Sequence, residues 1–218
     1  GLISTYQSDT VVSGPSVIKF SPHEGLAAYG NDGGQIMLLD LENKTQDPLS
    51  GNGGGWMWGI SFSPDGSQLA SAATGGTIKL WDVESQTEVA SLSQGYHYPS
   101  VSFSPDGSLL ASSGGGTIKL WDAENQTEVA SLAAETNRFL PNGGVSFSPD
   151  GSFLTSTNGW GGTVKLWDVE SQTEVASLTG TYGVFSPDGR LLVSQNNNTS
   201  KLWDVESQTE VASLTGTY

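Results

Sequence analysis

The sequence predicts an all-β protein assembled from five copies of one four-stranded unit, and two observations carry that expectation. The first is a set of strings that return in a fixed order. FSPDG stands at 62–66, 103–107, 147–151 and 185–189, KLWD at 79–82, 119–122, 165–168 and 201–204, and EVASL at 88–92, 128–132, 174–178 and 210–214. A divergent first copy reads FSPHEG at 20–25, QIMLLD at 35–40 and TQDPLS at 45–50. The second observation is spacing: Phe20, Phe62, Phe103, Phe147 and Phe185 are separated by 42, 41, 44 and 38 residues. Self-similarity at such a period marks stacked supersecondary units, each of which buries its faces only against its neighbours.

Taken in order, residues 1–14 match no later copy. LISTY at 2–6 has the β-branched and aromatic content of a short strand, and Gly14-Pro15 breaks it. This segment reads as an N-terminal extension or extra strand, with the repeats occupying 15–218. The third unit shows the pattern of all five. Its first strand is expected at 100–104, and Ser104-Pro105-Asp106-Gly107 forms a turn with Pro at its second position and Gly at its fourth. A second strand at 109–113 ends in the triplet Gly114–Gly116, which reverses the chain into a third strand at 117–121. The loop 122–126 then leads to a fourth strand at 127–132. In the third strand, alternation places Ile118 and Leu120 on one face and Lys119 and Trp121 on the other. Bulk on both faces suits a sheet packed between two others, so Trp81, Trp121, Trp167 and Trp203 are expected in the core. Leu39 holds that position in the first unit.

A strand ending in Trp-Asp, an SPDG turn upstream and a period near 40 resemble the WD-repeat family of β-propellers. The resemblance covers nearly the whole chain and implies a five-bladed β-propeller of four-stranded antiparallel blades. It also implies a protein-docking role, although propellers host many activities. The sequence departs from the family where a Gly-His pair normally precedes the first strand and an Asp sits in the turn between the second and third. The only histidines are His23 and His97, and only Asp32 keeps an acid at a comparable place. The buried hydrogen-bond relay of the family is therefore expected to be absent or replaced, leaving stability to packing and strand ladders.

Composition narrows the function classes. With 23 acidic and 8 basic residues the formal net charge is −15. That balance opposes nucleic acid, which requires basic stripes to displace counterions, and opposes anionic membrane surfaces. The absence of cysteine excludes disulfides, thiolate catalysis and Cys-type zinc sites. No apolar run approaches the ~18 residues of a spanning helix. The chain opens on Gly1 rather than methionine, which suggests processing or a fragment. None of these features assigns a compartment.

No Ser–His–Asp spacing, metal-ligand cluster or phosphate loop stands out, so neither catalysis nor a cofactor is expected. The glycine runs lie between strands, not between a strand and a helix. Asp65, Asp106, Asp150 and Asp188 in the SPDG turns, and Asp82, Asp122, Asp168 and Asp204 after the third strands, read as structural. Alternating strand directions would bring the SPDG and VESQT loops to one end and the variable loops to the other. Those variable loops, GNGGGWMW at 51–58, SQGYHYP at 93–99, AAETNRFLPNGG at 133–144 and the turn around Trp160, carry residues that the repeat does not require. Trp56, Trp58, Tyr96, His97, Tyr98, Arg138, Phe139 and Trp160 are therefore the expected binding residues, on loops held by a rigid frame. The reading is a non-catalytic interaction or scaffold module whose partner is another protein. The alternative is a secreted or surface subunit of a larger assembly, or a propeller that binds glycans through the loop aromatics.

Overall fold

A computed structural model of the chain describes residues 17–23, 25–30, 34–49, 55–95, 99–134, 144–158, 162–196 and 198–216. The proposed extension at 1–14 and Asp32 lie outside them. Among the described residues, twenty strands form five sheets. The first holds β1 (Val17–Phe20), β2 (Leu26–Gly30), β3 (Ile36–Asp40) and β4 (Thr45–Pro48). The second holds β5 (Met57–Phe62), β6 (Gln68–Ala73), β7 (Thr77–Asp82) and β8 (Thr87–Ser93), and the third β9 (Ser100–Phe103), β10 (Leu109–Gly114), β11 (Thr117–Asp122) and β12 (Thr127–Ala133). The fourth holds β13 (Val145–Phe147), β14 (Phe153–Asn158), β15 (Thr163–Asp168) and β16 (Thr173–Thr179), and the last β17 (Tyr182–Phe185), β18 (Leu191–Asn196), β19 (Thr199–Asp204) and β20 (Thr209–Thr215). Each sheet is antiparallel with its strands in chain order, and the first strands of the first four units meet in succession. The expected five-bladed, all-β architecture is present.

Local chemistry explains the repeat. In the third blade Ser104 Oγ donates to Asp106 Oδ1 at 2.6 Å, and the same carboxylate accepts the Ser108 amide at 3.0 Å. Gly107 takes a positive φ of 76° to close the turn. Between the third and fourth strands Asp122 Oδ1 accepts the Asn125 amide, three residues on, at 2.7 Å, and Gln126 sits in the left-handed region. Lys44, Gln86, Gln172 and Gln208 do the same at equivalent places. A register shift follows between Leu120 and Trp121, repeated at Leu80/Trp81, Leu166/Trp167 and Leu202/Trp203. This bulge lets Trp121 face Glu128 while Leu120 faces Ala130.

Each blade has two apolar faces. One face of the second blade (Ala70, Ile78, Leu80, Leu92) packs on the opposite face of the third (Val101, Phe103, Leu110, Trp121). The same pairing joins the first blade to the second, the third to the fourth and the fourth to the last. The face toward the preceding blade is called here the leading face, and the other the trailing face. Trp81, Trp121 and Trp167 are buried on leading faces as expected, whereas Trp203 is only half-buried. An indole contributes ~150–250 Å² of burial, worth ~4–6 kcal/mol gross. Lys119 lies 5.2 Å above the Trp121 ring and pairs with Glu128 at 2.9 Å, and the other three tryptophans carry equivalent Lys–Glu covers.

The expectation that stability rests on packing and ladders alone needs correcting. Trp81 Nε1 donates to Ser71 Oγ, Trp121 Nε1 to Ser112, Trp167 Nε1 to Ser156 and Trp203 Nε1 to Ser194, at 2.8–2.9 Å. In the third blade Ser112 Oγ donates onward to Gln94 Oε1 in a short hydrogen bond. The Gln94 amide donates to the carbonyls of Thr117 at 3.0 Å and Gly114 at 3.3 Å. A buried glutamine from the preceding connection thus links loop, strand and indole where the family pattern has histidine. In the last blade Ser194 Oγ donates instead to the Thr179 carbonyl at 2.7 Å. The first blade lacks the motif, and Tyr29 OH donates to Gln46 Oε1 at 3.2 Å there.

Candidate interaction surface

The two ends of the blades are divided as the sequence suggested. At one end the SPDG turns stack: a Cβ on Gly107 would lie 3.3 Å from Pro64 Cδ, and one on Gly151 3.4 Å from Pro105 Cδ. His23 Nε2 donates to the Asp65 carbonyl, so the first turn joins the stack through a ring in place of that contact. Asp65, Asp106 and Glu124 border a cavity of about 480 Å³ between the second and third blades. The Ser104 hydroxyl, followed by the amide and hydroxyl of Ser108, holds the Asp106 carboxyl below its ordinary value, and Ser63 and Ser67 do the same for Asp65. These carboxylates are occupied in holding their own turns, as the structural reading of the sequence had them. Among the described residues no group of three or more His, Asp or Glu side chains is placed to hold a metal ion.

At the other end, the fourth-to-first connections lie directly on the second-to-third turns of the preceding blade. Gln94 N donates to Gly76 O at 2.8 Å, Ala134 N to Gly116 O at 3.0 Å and Gly180 N to Gly162 O at 2.6 Å. A Cβ on Gly76 would fall 1.4 Å from Gly95 O. Backbone against backbone leaves no room for a side chain at Gly76, which is the physical reason glycine stands in that turn where the family pattern has Asp.

On this end stand Trp56 and Trp58. Their rings are stacked, with centroids 5.9 Å apart and planes 20° from parallel. Trp56 is 56% exposed, whereas Trp58 is half-buried. Both are fixed by Thr74 of the adjoining turn: its Oγ1 accepts the Trp56 amide at 2.9 Å and Trp58 Nε1 at 3.1 Å, and donates to the Trp56 carbonyl at 3.1 Å. A bulge between Met57 and Gly59 turns the strand as the pair leaves it. Thr74 is a positioning residue that the sequence reading passed over. Its signal was local, a hydroxyl before Gly75-Gly76 where the third unit has glycine alone. The structure brings together Trp56 and Trp58 of the expected set. Tyr96, His97, Tyr98, Arg138, Phe139 and Trp160 lie outside the described residues.

Repeated four-stranded blades with Trp-Asp ending the third strand define a WD-repeat β-propeller. The family described as WD domain, G-beta repeat matches this chain in three places, residues 43–82, 94–122 and 143–168. It is similar to WD repeat-containing protein 1 of Gallus gallus, at 35% identity over 83 residues, covering 36% of this chain and 13% of that protein. It is also similar to WD repeat-containing protein SL1-17 of Schistosoma mansoni, at 30% identity over 114 residues, covering 51% of this chain and 36% of that protein. The match thus spans well under half the length of either relative. Proteins built on such repeats generally mediate protein–protein contact or scaffolding. Among the described residues no helix is long and apolar enough to cross a membrane.

Proposed function

We propose that the chain is a non-catalytic interaction module that docks a partner protein through the end bearing the variable loops. The observation that supports this reading is the Trp56–Trp58 stack, an exposed indole held in place by a threonine on a rigid sheet. A preordered aromatic gains contact area without a large ordering cost, which is the energetic profile of an interface anchor. The opposite end repeats Val-Glu-Ser-Gln-Thr at 83–87, 169–173 and 205–209 and offers charge without a comparable aromatic anchor. The further anchors on the docking end are Tyr96, His97, Tyr98, Arg138, Phe139 and Trp160. The test is capture of the partner from the native source, followed by titration of that purified partner against two variants. Trp58→Ala with Tyr98→Ala should weaken binding by at least ~2 kcal/mol with the fold intact. Glu84→Gln with Glu170→Gln should leave it unchanged, and the reverse result would move the site to the other end.

The stacked pair also favours a second reading, because an exposed indole face suits a sugar ring. A glycan array separates the two. Sugar binding that disappears in Trp56→Ala would make the surface a glycan platform.

A further inference from the structure

Around the Trp56–Trp58 stack the polar groups that hold the two rings are engaged, with one exception. The Thr74 hydroxyl donates its proton to the Trp56 carbonyl at 3.1 Å and accepts both the Trp56 amide and Trp58 Nε1. A hydroxyl has one proton and two lone pairs, so this one has nothing left for a ligand. The Trp56 carbonyl also accepts the Thr74 amide, at 2.9 Å, which fills its own two lone pairs. The exception is Trp56 Nε1, which has no partner among the described residues. An indole N–H donates and never accepts. Trp58 backs the Trp56 ring with centroids 5.9 Å apart, and 56% of Trp56 is exposed all the same. The stack therefore presents an apolar ring and one donor, with no acceptor left on the groups that hold it.

This inventory selects among ligands. An ordinary peptide brings amide N–H groups and a sugar brings hydroxyls. Each such donor laid on the stack would lose its water without gaining an acceptor, at the cost of an unmade hydrogen bond. A run of prolines brings no donor: its amides have carbonyls but no N–H. Its rings are compact apolar bodies of the kind aromatic-lined grooves accept, and its polyproline II helix is preformed without internal hydrogen bonds. Thr74 and Trp58 fix the Trp56 ring in advance, so little conformational freedom is lost on either side.

From this match of donor to acceptor we propose that the Trp56–Trp58 stack docks a proline-rich segment of the partner protein. A proline ring lies on the exposed Trp56 indole, and a neighbouring carbonyl accepts from Trp56 Nε1. The inference rests on the reading of the loop end as a protein-docking surface and adds the class of segment bound. It does not depend on where the polypeptide begins or ends, since the second blade packs on the first and on the third.

The probe is an uncharged oligoproline peptide, titrated into the isotopically labelled full chain and followed by nuclear magnetic resonance. The seven tryptophans give seven indole N–H resonances, and Trp56→Phe identifies that of Trp56 by its loss. Binding should move this resonance downfield, as a new hydrogen bond requires, and leave those of the buried Trp81, Trp121 and Trp167 in place. Trp56→Phe keeps an apolar ring without the donor and should weaken binding about fivefold, the worth of one neutral hydrogen bond. Trp56→Ala should weaken it ~30-fold or more, with circular dichroism checking that the sheets are retained. A glycine–serine peptide of equal length should not bind. No binding at millimolar oligoproline, equal binding by Trp56→Ala, or an oligosaccharide that moves the Trp56 resonance where oligoproline does not, overturns the proposal. The partner captured from the native source separates this inference from the wider reading. If Trp56→Ala releases that partner but its contact segment holds no proline, the docking end stands and the proline assignment falls. A partner that stays bound to Trp56→Ala overturns the proposal, and one released instead by Glu84→Gln with Glu170→Gln overturns the docking end with it.

Discussion

Leu178 and Leu214 occupy identical sequence and near-identical backbone, yet one is core and the other surface. The lesson concerns what a repeat encodes. Each unit specifies its own turns, strands and bulge, but burial belongs to the interface between units and is divided between two neighbours. Inner blades own two interfaces; terminal blades own one. Substitutions at matched positions should therefore separate by place in the array, not by residue type.

The largest separation is expected at the indoles. Trp121→Ala should cost ~3–5 kcal/mol in urea unfolding, because it leaves a cavity between the second and third blades. Trp203→Ala should cost clearly less, and Trp56→Ala should stay within ~0.5 kcal/mol as a surface change. Equal losses at Trp121 and Trp203 would show that the half-burial of Trp203 does not lower its contribution. Next come the paired leucines: Leu178→Ala should cost ~2–5 kcal/mol, against less than ~0.5 kcal/mol for Leu214→Ala.

A smaller effect tests the polar link. Ser112→Ala strips the acceptor from Trp121 Nε1 and the donor from Gln94, leaving buried polar groups unsatisfied at a cost of ~1–3 kcal/mol. Ser194→Ala in the last blade should cost less, because water reaches its half-buried indole partner. Double replacement of Ser112 and Gln94 should cost less than the sum of the singles, which a mutant cycle reads directly.

The smallest expected effect is on acid stability. Asp65, Asp106, Asp150 and Asp188 have carboxyl groups held below their ordinary value, with the Ser63, Ser104, Ser148 and Ser186 hydroxyls the leading causes. A depressed folded value means the fold favours the ionised form. Their contribution is therefore present above about pH 4, the range of an unfolded Asp, and disappears as pH falls through the lower folded values. Thermal melts from pH 7 to pH 2 should show the decline, and Asp106→Asn should flatten it.

Much of the blade was legible because its determinants are local. The Pro and Gly of the SPDG turn, the alternation of Lys119 and Trp121 against Ile118 and Leu120, and the Asp after each third strand placed strands to within about a residue. Two features were not. Gln94 reaches the Ser112 hydroxyl from the preceding connection, eighteen residues earlier, and no periodic position announces it. The glycines at 75–76 looked like a lost acidic turn, whereas Gly76 is required by the Gly95 backbone that crosses it. Of the expected surface, Trp56 and Trp58 were visible as aromatics outside the repeat, but the hydroxyl that fixes them was not.

The identity of residues 165–182 and 201–218 also bears on how the chain reaches its fold. During folding, β14 must choose between two equivalent suitors, the segment that becomes β15–β16 and the one that becomes β19–β20. Thr163 and Thr199 agree as well, so within the strand only Val164 and Ser200 tell the two apart. A chain that pairs β14 with the later segment would satisfy nearly every ladder bond while looping out the blade between them. Such near-degenerate pairings are kinetic traps, and repeat proteins are prone to them. Emergence of the fourth unit before the fifth during synthesis would resolve the choice, whereas dilution from denaturant offers both at once. Refolding of the intact chain should therefore show a slow phase that is missing when Val164 and its neighbours are made distinct from the final copy.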